Sequence, residues 1–139
     1  MTATAPSREL TSHRDVTVDA AGDSLLNVEV KYGDLEWRLS GDDAAAPDPV
    51  SSFLGALGGC LLMSLRVAAR VRKIDLGRAS VHAQANEKGH VKEIKVELQI
   101  ETSAPDDQLH RLVEVAERGC HIRNLIRDDV ALALTLTRI

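Results

Sequence analysis

Apolar and polar residues alternate in three stretches near the start of the chain, VTVDA, LLNVEVKY and DLEWRLS. Alternation of this kind is typical of β-strands with one buried face. Turn-forming residues separate the stretches at Gly22-Asp23 and at 32–34. The pattern therefore predicts an antiparallel meander over roughly residues 15–40, with Arg38 on the polar face of its third strand.

A helical pattern follows the loop SGDDAAAPDP. Asp48 can cap the free amides of a first turn, and Pro49 suits the first helical position because no N–H is needed there. The helix is predicted from Pro49 to about Lys73, and charged residues begin only at Arg66. We therefore expect its first half to be buried nearly all round.

Two further strands, a helix and a last strand complete the pattern. ASVHAQAN and VKEIKVELQIET alternate again, so they predict a second antiparallel pair joined by the loop NEKGH. Apolar residues at helical spacing predict a helix from Pro105 to about Arg118, which Gly119 ends. CHIRNLI is expected to form a short helical turn, and ALALTLTRI a final strand. The fold class is therefore α+β, with antiparallel sheets around a long buried helix.

Chain length, net charge and aromatic content limit the number of domains and the classes of molecule that the protein can bind. With 139 residues the chain suits a single domain over 1–139, in which residues 1–13 form a loose N-terminal arm. A net charge of -4 and 2% aromatic residues argue against nucleic-acid and membrane-surface binding. The N-terminus lacks the pattern of a signal peptide, and the most apolar run is about 13 residues, against roughly 20 needed to span a bilayer. We expect a cytoplasmic protein.

The stretch FLGALGGC places three glycines inside the first predicted helix. Each interior glycine costs a helix about 1 kcal/mol relative to alanine, so another interaction must offset the loss. Missing side chains allow close approach, either of another element in the same subunit or of a second copy of this helix across a two-fold axis.

The two cysteines are Cys60, which follows those glycines, and Cys120, which follows the second helix. A buried cysteine often behaves as a small inert hydrophobe. Cys120 begins a short helical turn, whose amides would favour a thiolate. The two thiols could form a reversible disulfide if their Cα atoms come within about 7 Å. A metal site that includes His121 is the competing chemistry, but no CxxC or HxxxH spacing supports it.

The motifs PVSSFLGALGGC and ERGCHIRNLI, together with the order of elements, resemble the OsmC/Ohr family over nearly the whole chain. The resemblance implies an OsmC-like fold, an intertwined homodimer and reduction of organic hydroperoxides. It implies that Cys60 is the peroxidatic nucleophile and Cys120 the resolving thiol. It further implies an external dithiol reductant and no cofactor.

The family also uses an arginine that stabilises the thiolate, and Arg38 is preferred over Arg14 for that role. Because the interior of a helix offers Cys60 no terminal amides, the arginine is expected to provide most of the stabilisation. The family usually pairs this arginine with a glutamate after the proline that opens the helix, where this chain has Val50 and Ser51. The arginine is then left to bind a nearby aspartate at 42, 43 or 48, or to stay loose.

A second departure lies at CHIR, where the family commonly has Cys-Pro-Val, so His121 becomes a candidate proton donor.

Two other functions compete with the thiol peroxidase. A dimeric scaffold with impaired catalysis could bind an apolar small molecule, which the missing glutamate favours. A purely structural protein would leave both cysteines inert.

Overall fold

The computed structural model describes residues 15–86 and 90–139, which form two compact units divided between Ser52 and Phe53. The expected arm and part of the NEKGH loop lie outside the described residues, and the single-domain assignment stays a prediction. The elements, in chain order, are β1 (Thr17–Ala20), β2 (Asn27–Tyr32), β3 (Leu35–Ser40), α1 (Pro49–Val71), β4 (Ala79–Gln84), β5 (Glu93–Ile100), α2 (Asp106–Arg118), a 3₁₀ helix (Arg123–Leu125) and β6 (Ala131–Arg138). The α+β class is confirmed.

The first unit contains sheet A, the antiparallel meander β1-β2-β3 that the alternation predicts. Gly22 and Gly33 in its turns have φ of +65° and +58°, which glycine adopts without strain. Arg38 is opposite Glu29 across β2 and β3, while Trp37 is opposite Val30. Polar and apolar residues therefore lie on opposite faces as predicted. The expectation of one buried face is wrong for β1, which is exposed throughout, and for β3, where Leu35 and Trp37 are exposed.

Helix α1 begins where the capping residues indicate. The Ser51 amide donates a hydrogen bond to Asp48 Oδ1 at 3.3 Å, so Asp48 caps the first turn. The expectation of nearly all-round burial is wrong, because the helix buries one stripe: Leu57, Gly58, Leu61, Leu65, Ala68 and Ala69. Gly55 and Ala56 are exposed, as are Met63, Val67 and Val71.

Sheet B, in the second unit, has the strand order β4-β5-β6. Strands β4 and β5 pair antiparallel as predicted, but β5 and β6 run parallel, so the expectation of antiparallel sheets is wrong for this pair. The cause is the connection between them, because α2 and the 3₁₀ helix carry the chain back along the sheet before β6 begins.

Arg138, at the end of β6, ties this strand to the start of α2. Its guanidinium donates to the carbonyls of Thr102 and Ala104 at 2.6 and 2.8 Å, and it pairs with Asp106 at 2.6 Å. The hydrogen bond from Arg138 and the charge of its guanidinium hold the pKa of Asp106 below its usual range, although desolvation acts in the opposite direction. These contacts fix where the crossover leaves the sheet.

Two apolar clusters make the core of the second unit. One joins α1, sheet B and α2 through Leu65, Ala68, Ala69, Leu98, Ile100, Leu109, Leu112, Val113 and Ala116. The other joins α1 to sheet B and the chain after α2 through Leu57, Leu61, Ile94, Val96 and Cys120. The apolar faces predicted for β5 and α2 are thus confirmed, and Cys120 is part of the core.

The three glycines of α1 have different surroundings. A Cβ on Gly58 would lie 3.3 Å from Val81 Cγ1, so close packing against β4 explains this glycine. A Cβ on Gly55 or Gly59 would meet no atom within 4 Å. Close packing within the chain therefore explains Gly58, but it does not explain Gly55 or Gly59.

By length and composition α1 is long and apolar enough to cross a membrane, with a mean hydropathy of 1.6 over its best 18 residues. The apolar part of α1 is therefore longer than the 13-residue run expected from the sequence. Core helices of soluble proteins pass the same test, and α1 packs its buried stripe on sheet B and α2. Cytoplasmic localisation stays a prediction.

Truncating a core leucine should destabilise the protein far more than truncating an exposed one. Leu65 is 0% exposed, whereas Leu25 is 97% exposed. We expect Leu65→Ala to lower the free energy of unfolding by about 2–5 kcal/mol, and the matched control Leu25→Ala by less than about 0.5 kcal/mol. Urea unfolding followed by circular dichroism measures both, and equal losses would contradict this core.

Candidate active site

The structure brings the two cysteines together. Cys60 lies on α1 and is partly buried, while Cys120 follows the C-cap of α2 and is fully buried. Both are free thiols, and they pack in one apolar cluster. We call Cys60 and Cys120 the thiol pair.

The chain after α2 makes a tight turn, residues 119–124, which we call the Cys120 turn. The Cys120 amide donates to the Glu117 carbonyl at 3.2 Å, and the Asn124 amide donates to the Cys120 carbonyl at 3.2 Å. The Arg123 amide donates to Cys120 Sγ at 3.4 Å. The predicted helical turn at CHIRNLI is therefore present, with its main chain wrapped around the second sulfur.

The thiol of Cys60 has a pKa below its ordinary value. Burial raises this pKa, but three hydrogen bonds together lower it more: the Ile122 amide, the Cys120 thiol and the His121 amide. Because donors of this kind favour the charged form, Cys60 is the sulfur of the pair that ionises first.

The thiol of Cys120 has a pKa above its ordinary value. Burial is the main cause, and the hydrogen bond and charge of Cys60 add to it. The Arg123 and Ile122 amides lower this pKa but are outweighed. The short turn therefore acts on this thiol in the expected direction, although burial is the larger effect.

The role of an arginine at Cys60 stays a prediction. Main-chain amides reach Cys60 from the Cys120 turn rather than from its own helix. Sequence reasoning missed His121 and Ile122 as donors because a main-chain N–H carries no mark of residue type. The one available indication was the helical turn predicted directly after the second cysteine.

Arg38 lies in the first unit and pairs with Asp43. A hydrogen bond from the Ala45 amide, followed by one from Arg38, holds the pKa of Asp43 below its usual range. The expectation that the arginine binds a nearby aspartate is thus confirmed for Asp43. Its role at the thiolate stays a prediction, and Arg14 lies outside the described residues.

The two departures from the family pattern lie at the surface. Val50 and Ser51 are exposed in the first turn of α1, and the side chain of His121 is exposed. A role of His121 as proton donor stays a prediction. Within residues 15–86 and 90–139, no cluster of three histidine, cysteine or acidic side chains is suited to hold a metal ion.

Residues 40–135 match the family described as OsmC-like protein. The chain belongs to the OsmC-like family. A relative from Haloferax volcanii, an uncharacterized protein, is 24% identical to this OsmC-like chain over 125 residues, which is 88% of this chain and 95% of the relative.

Solved OsmC-like structures share the fold. An OsmC-like protein from Mycoplasma pneumoniae has a TM-score of 0.84 at 13% identity, covering 93% of this chain and 99% of its own. An organic hydroperoxide resistance protein OsmC from Legionella pneumophila has a TM-score of 0.67 at 22% identity, covering 91% and 99%. These likenesses confirm the OsmC-like fold predicted from the sequence.

The thiol pair should show two separate ionisations. We expect iodoacetamide to alkylate Cys60 with a midpoint below that of free cysteine, about 8.5, and Cys120 only at higher pH. Cys120→Ala removes a donor to Cys60 and should raise the Cys60 midpoint, whereas Cys120→Ser keeps a donor and should raise it less. Peptide mass spectrometry of the alkylated sites measures both, and a Cys60 midpoint at or above 8.5 would contradict the site.

Proposed function

We propose that this protein is a thiol-dependent peroxidase that reduces organic hydroperoxides. The observation that carries the proposal is the thiol pair itself: two free cysteines packed in one apolar cluster, one with a lowered and one with a raised pKa. The partly exposed sulfur is the one that ionises first, so the nucleophile is also the accessible group.

The reaction follows from these two states. The Cys60 thiolate attacks the distal oxygen of the hydroperoxide, the O–O bond breaks, and the alkoxide takes a proton and leaves as an alcohol. Cys60 is now a sulfenic acid. The sulfur of Cys120 attacks it, the hydroxyl leaves with the Cys120 proton as water, and a Cys60–Cys120 disulfide forms. An external dithiol then returns both sulfurs to thiols, and the protein needs no cofactor of its own.

The surroundings of Cys60 favour an organic hydroperoxide. Leu57, Leu61 and Ile122 belong to the apolar cluster that Cys60 contacts. Covering an alkyl or aryl group with apolar side chains favours binding, whereas hydrogen peroxide has no apolar surface to cover. The name of the Legionella pneumophila relative, an organic hydroperoxide resistance protein, supports the same class of substrate.

Arg38 remains our candidate for the cation that assists the thiolate. Its guanidinium is paired with Asp43, so its charge is already partly balanced. The amides of the Cys120 turn therefore contribute a part of the stabilisation that does not depend on this arginine.

We also propose that the active form is an intertwined homodimer in the cytoplasm. Gly55, Gly59, Met63, Val67 and Val71 recur every four residues along α1, which puts them on one face. Three of them are large exposed apolar residues, and the two glycines have no neighbour within 4 Å of a built Cβ. A second α1 lying on this stripe explains the glycines that packing within the chain leaves unexplained.

The peroxidase proposal is tested by mixing reduced protein with cumene hydroperoxide. We expect intact-mass spectrometry to show the loss of two hydrogens per chain and thiol titration to fall from two thiols to none. Cys60→Ser should abolish peroxide consumption, whereas Cys120→Ser should stop at the sulfenic acid. Two surviving thiols per wild-type chain would reject the proposal.

The dimer proposal is tested by sedimentation equilibrium. We expect the wild type to be a dimer and Val67→Glu to shift it toward monomer, because a buried unpaired carboxylate is costly. Gln108→Glu adds the same charge at an exposed position of α2 and should leave the dimer intact. A monomeric wild type, or equal effects of the two variants, would contradict the stripe as an interface.

A second function, binding of an apolar small molecule, is favoured by Val50, which stands where the family commonly has a carboxylate. It predicts that Cys60→Ser leaves ligand affinity unchanged while the wild type consumes no peroxide.

A further inference from the structure

An ion pair bridges the Cys120 turn. Arg123 Nε lies 3.4 Å from Glu117 Oε1, which joins the 3₁₀ helix to the last turn of α2. Both side chains are about one-third exposed, 30% for Arg123 and 35% for Glu117. Among the ion pairs of the described residues, this one lies beside the thiol pair and is the least exposed overall.

Main-chain contacts of the same two residues reach the sulfurs. The Glu117 carbonyl accepts the Cys120 amide, and the Arg123 amide donates to Cys120 Sγ. Asn124 adds a second side-chain bond across the turn, from Nδ2 to the Arg118 carbonyl at 3.2 Å. Two side-chain contacts therefore bridge the turn, and its Arg123 amide is hydrogen-bonded to the sulfur of Cys120.

We propose that Glu117 and Arg123 are positioning residues, whose ion pair holds the Cys120 turn closed so that its main-chain amides face the thiol pair. The pair acts through geometry. Glu117 balances the charge of Arg123, so the guanidinium is not a free cation for the sulfurs. Amide donors work only within hydrogen-bond reach and near-linear geometry, so a small opening of the turn removes much of their effect.

The local sequence explains why the turn needs such a closure. Gly119, the C-cap of α2, has the greatest backbone freedom in the unfolded and open states, so the segment pays entropy to stay closed. The pair joins residues on either side of Gly119, Cys120 and Ile122. Its partial burial also makes it less sensitive to salt than a fully exposed pair.

This inference rests on the proposed function for its biological meaning, but its measurement needs no peroxide. Arg123→Gln and Glu117→Gln are each expected to slow iodoacetamide alkylation of Cys60 at pH 7 about threefold to tenfold, which is up to one unit in the alkylation midpoint. Disulfide formation with diamide should slow in the same variants. The exchange Glu117→Arg with Arg123→Glu should restore both rates in part.

Arg127→Gln is the matched control, because it breaks the exposed Arg127–Asp129 pair close by in the chain. We expect it to leave alkylation and disulfide formation unchanged. Urea unfolding shows that each variant is folded, and Arg123→Lys, which keeps the charge, supplies a milder variant if Arg123→Gln does not fold.

The outcomes separate this inference from the peroxidase proposal. The positioning role would be overturned if the single variants were alkylated and formed the disulfide as fast as the wild type. It would also be overturned if the exchange variant reacted no faster than either single variant. A wild type that consumes no peroxide, together with slowed alkylation in the single variants, would reject the peroxidase and keep the positioning role.

Discussion

The site depends on one contact, that of two sulfurs carried by elements sixty residues apart in the chain. Cys60 reaches it because α1 packs its buried stripe on sheet B and α2. Cys120 reaches it because α2 ends at Arg118 and the following turn folds back into the same apolar cluster. The core of the second unit is therefore also the device that brings the thiols together.

Burial and hydrogen bonding act in opposite directions on these sulfurs, and the balance differs between them. At Cys60 the amides of the Cys120 turn outweigh burial, whereas at Cys120 burial outweighs the amides. The result is one ionisable, accessible thiol beside one protonated, buried thiol. A pair of this kind suits a nucleophile and the group that later closes a disulfide with it.

Most of the fold could be predicted from periodicity, because the strands alternate and because α2 and β5 each bury one face. The direction of β6 could not, since alternation looks the same in parallel and antiparallel strands and only the α2 crossover decides between them. The open face of α1 was also missed, because Gly55 and Met63 are as apolar as the buried residues beside them. At the site, Cys60 and Cys120 were singled out because their motifs resemble the OsmC/Ohr family, whereas the main-chain amides of His121 and Ile122 carry no sequence signal.

Because main-chain amides act on Cys60, the absence of a glutamate at Val50 matters less for stabilising its thiolate. A glutamate that orients an arginine matters most when the arginine is the main source of thiolate stabilisation. Here main-chain amides of the Cys120 turn, which the Glu117–Arg123 ion pair spans, supply a part of the stabilisation of the Cys60 thiolate. Arg38 forms an ion pair with Asp43. In the proposed peroxidase, a carboxylate missing at Val50 would therefore leave the hydrogen-bond donors of Cys60 in place. Val50 on its own is no argument that the thiol pair has lost its chemistry.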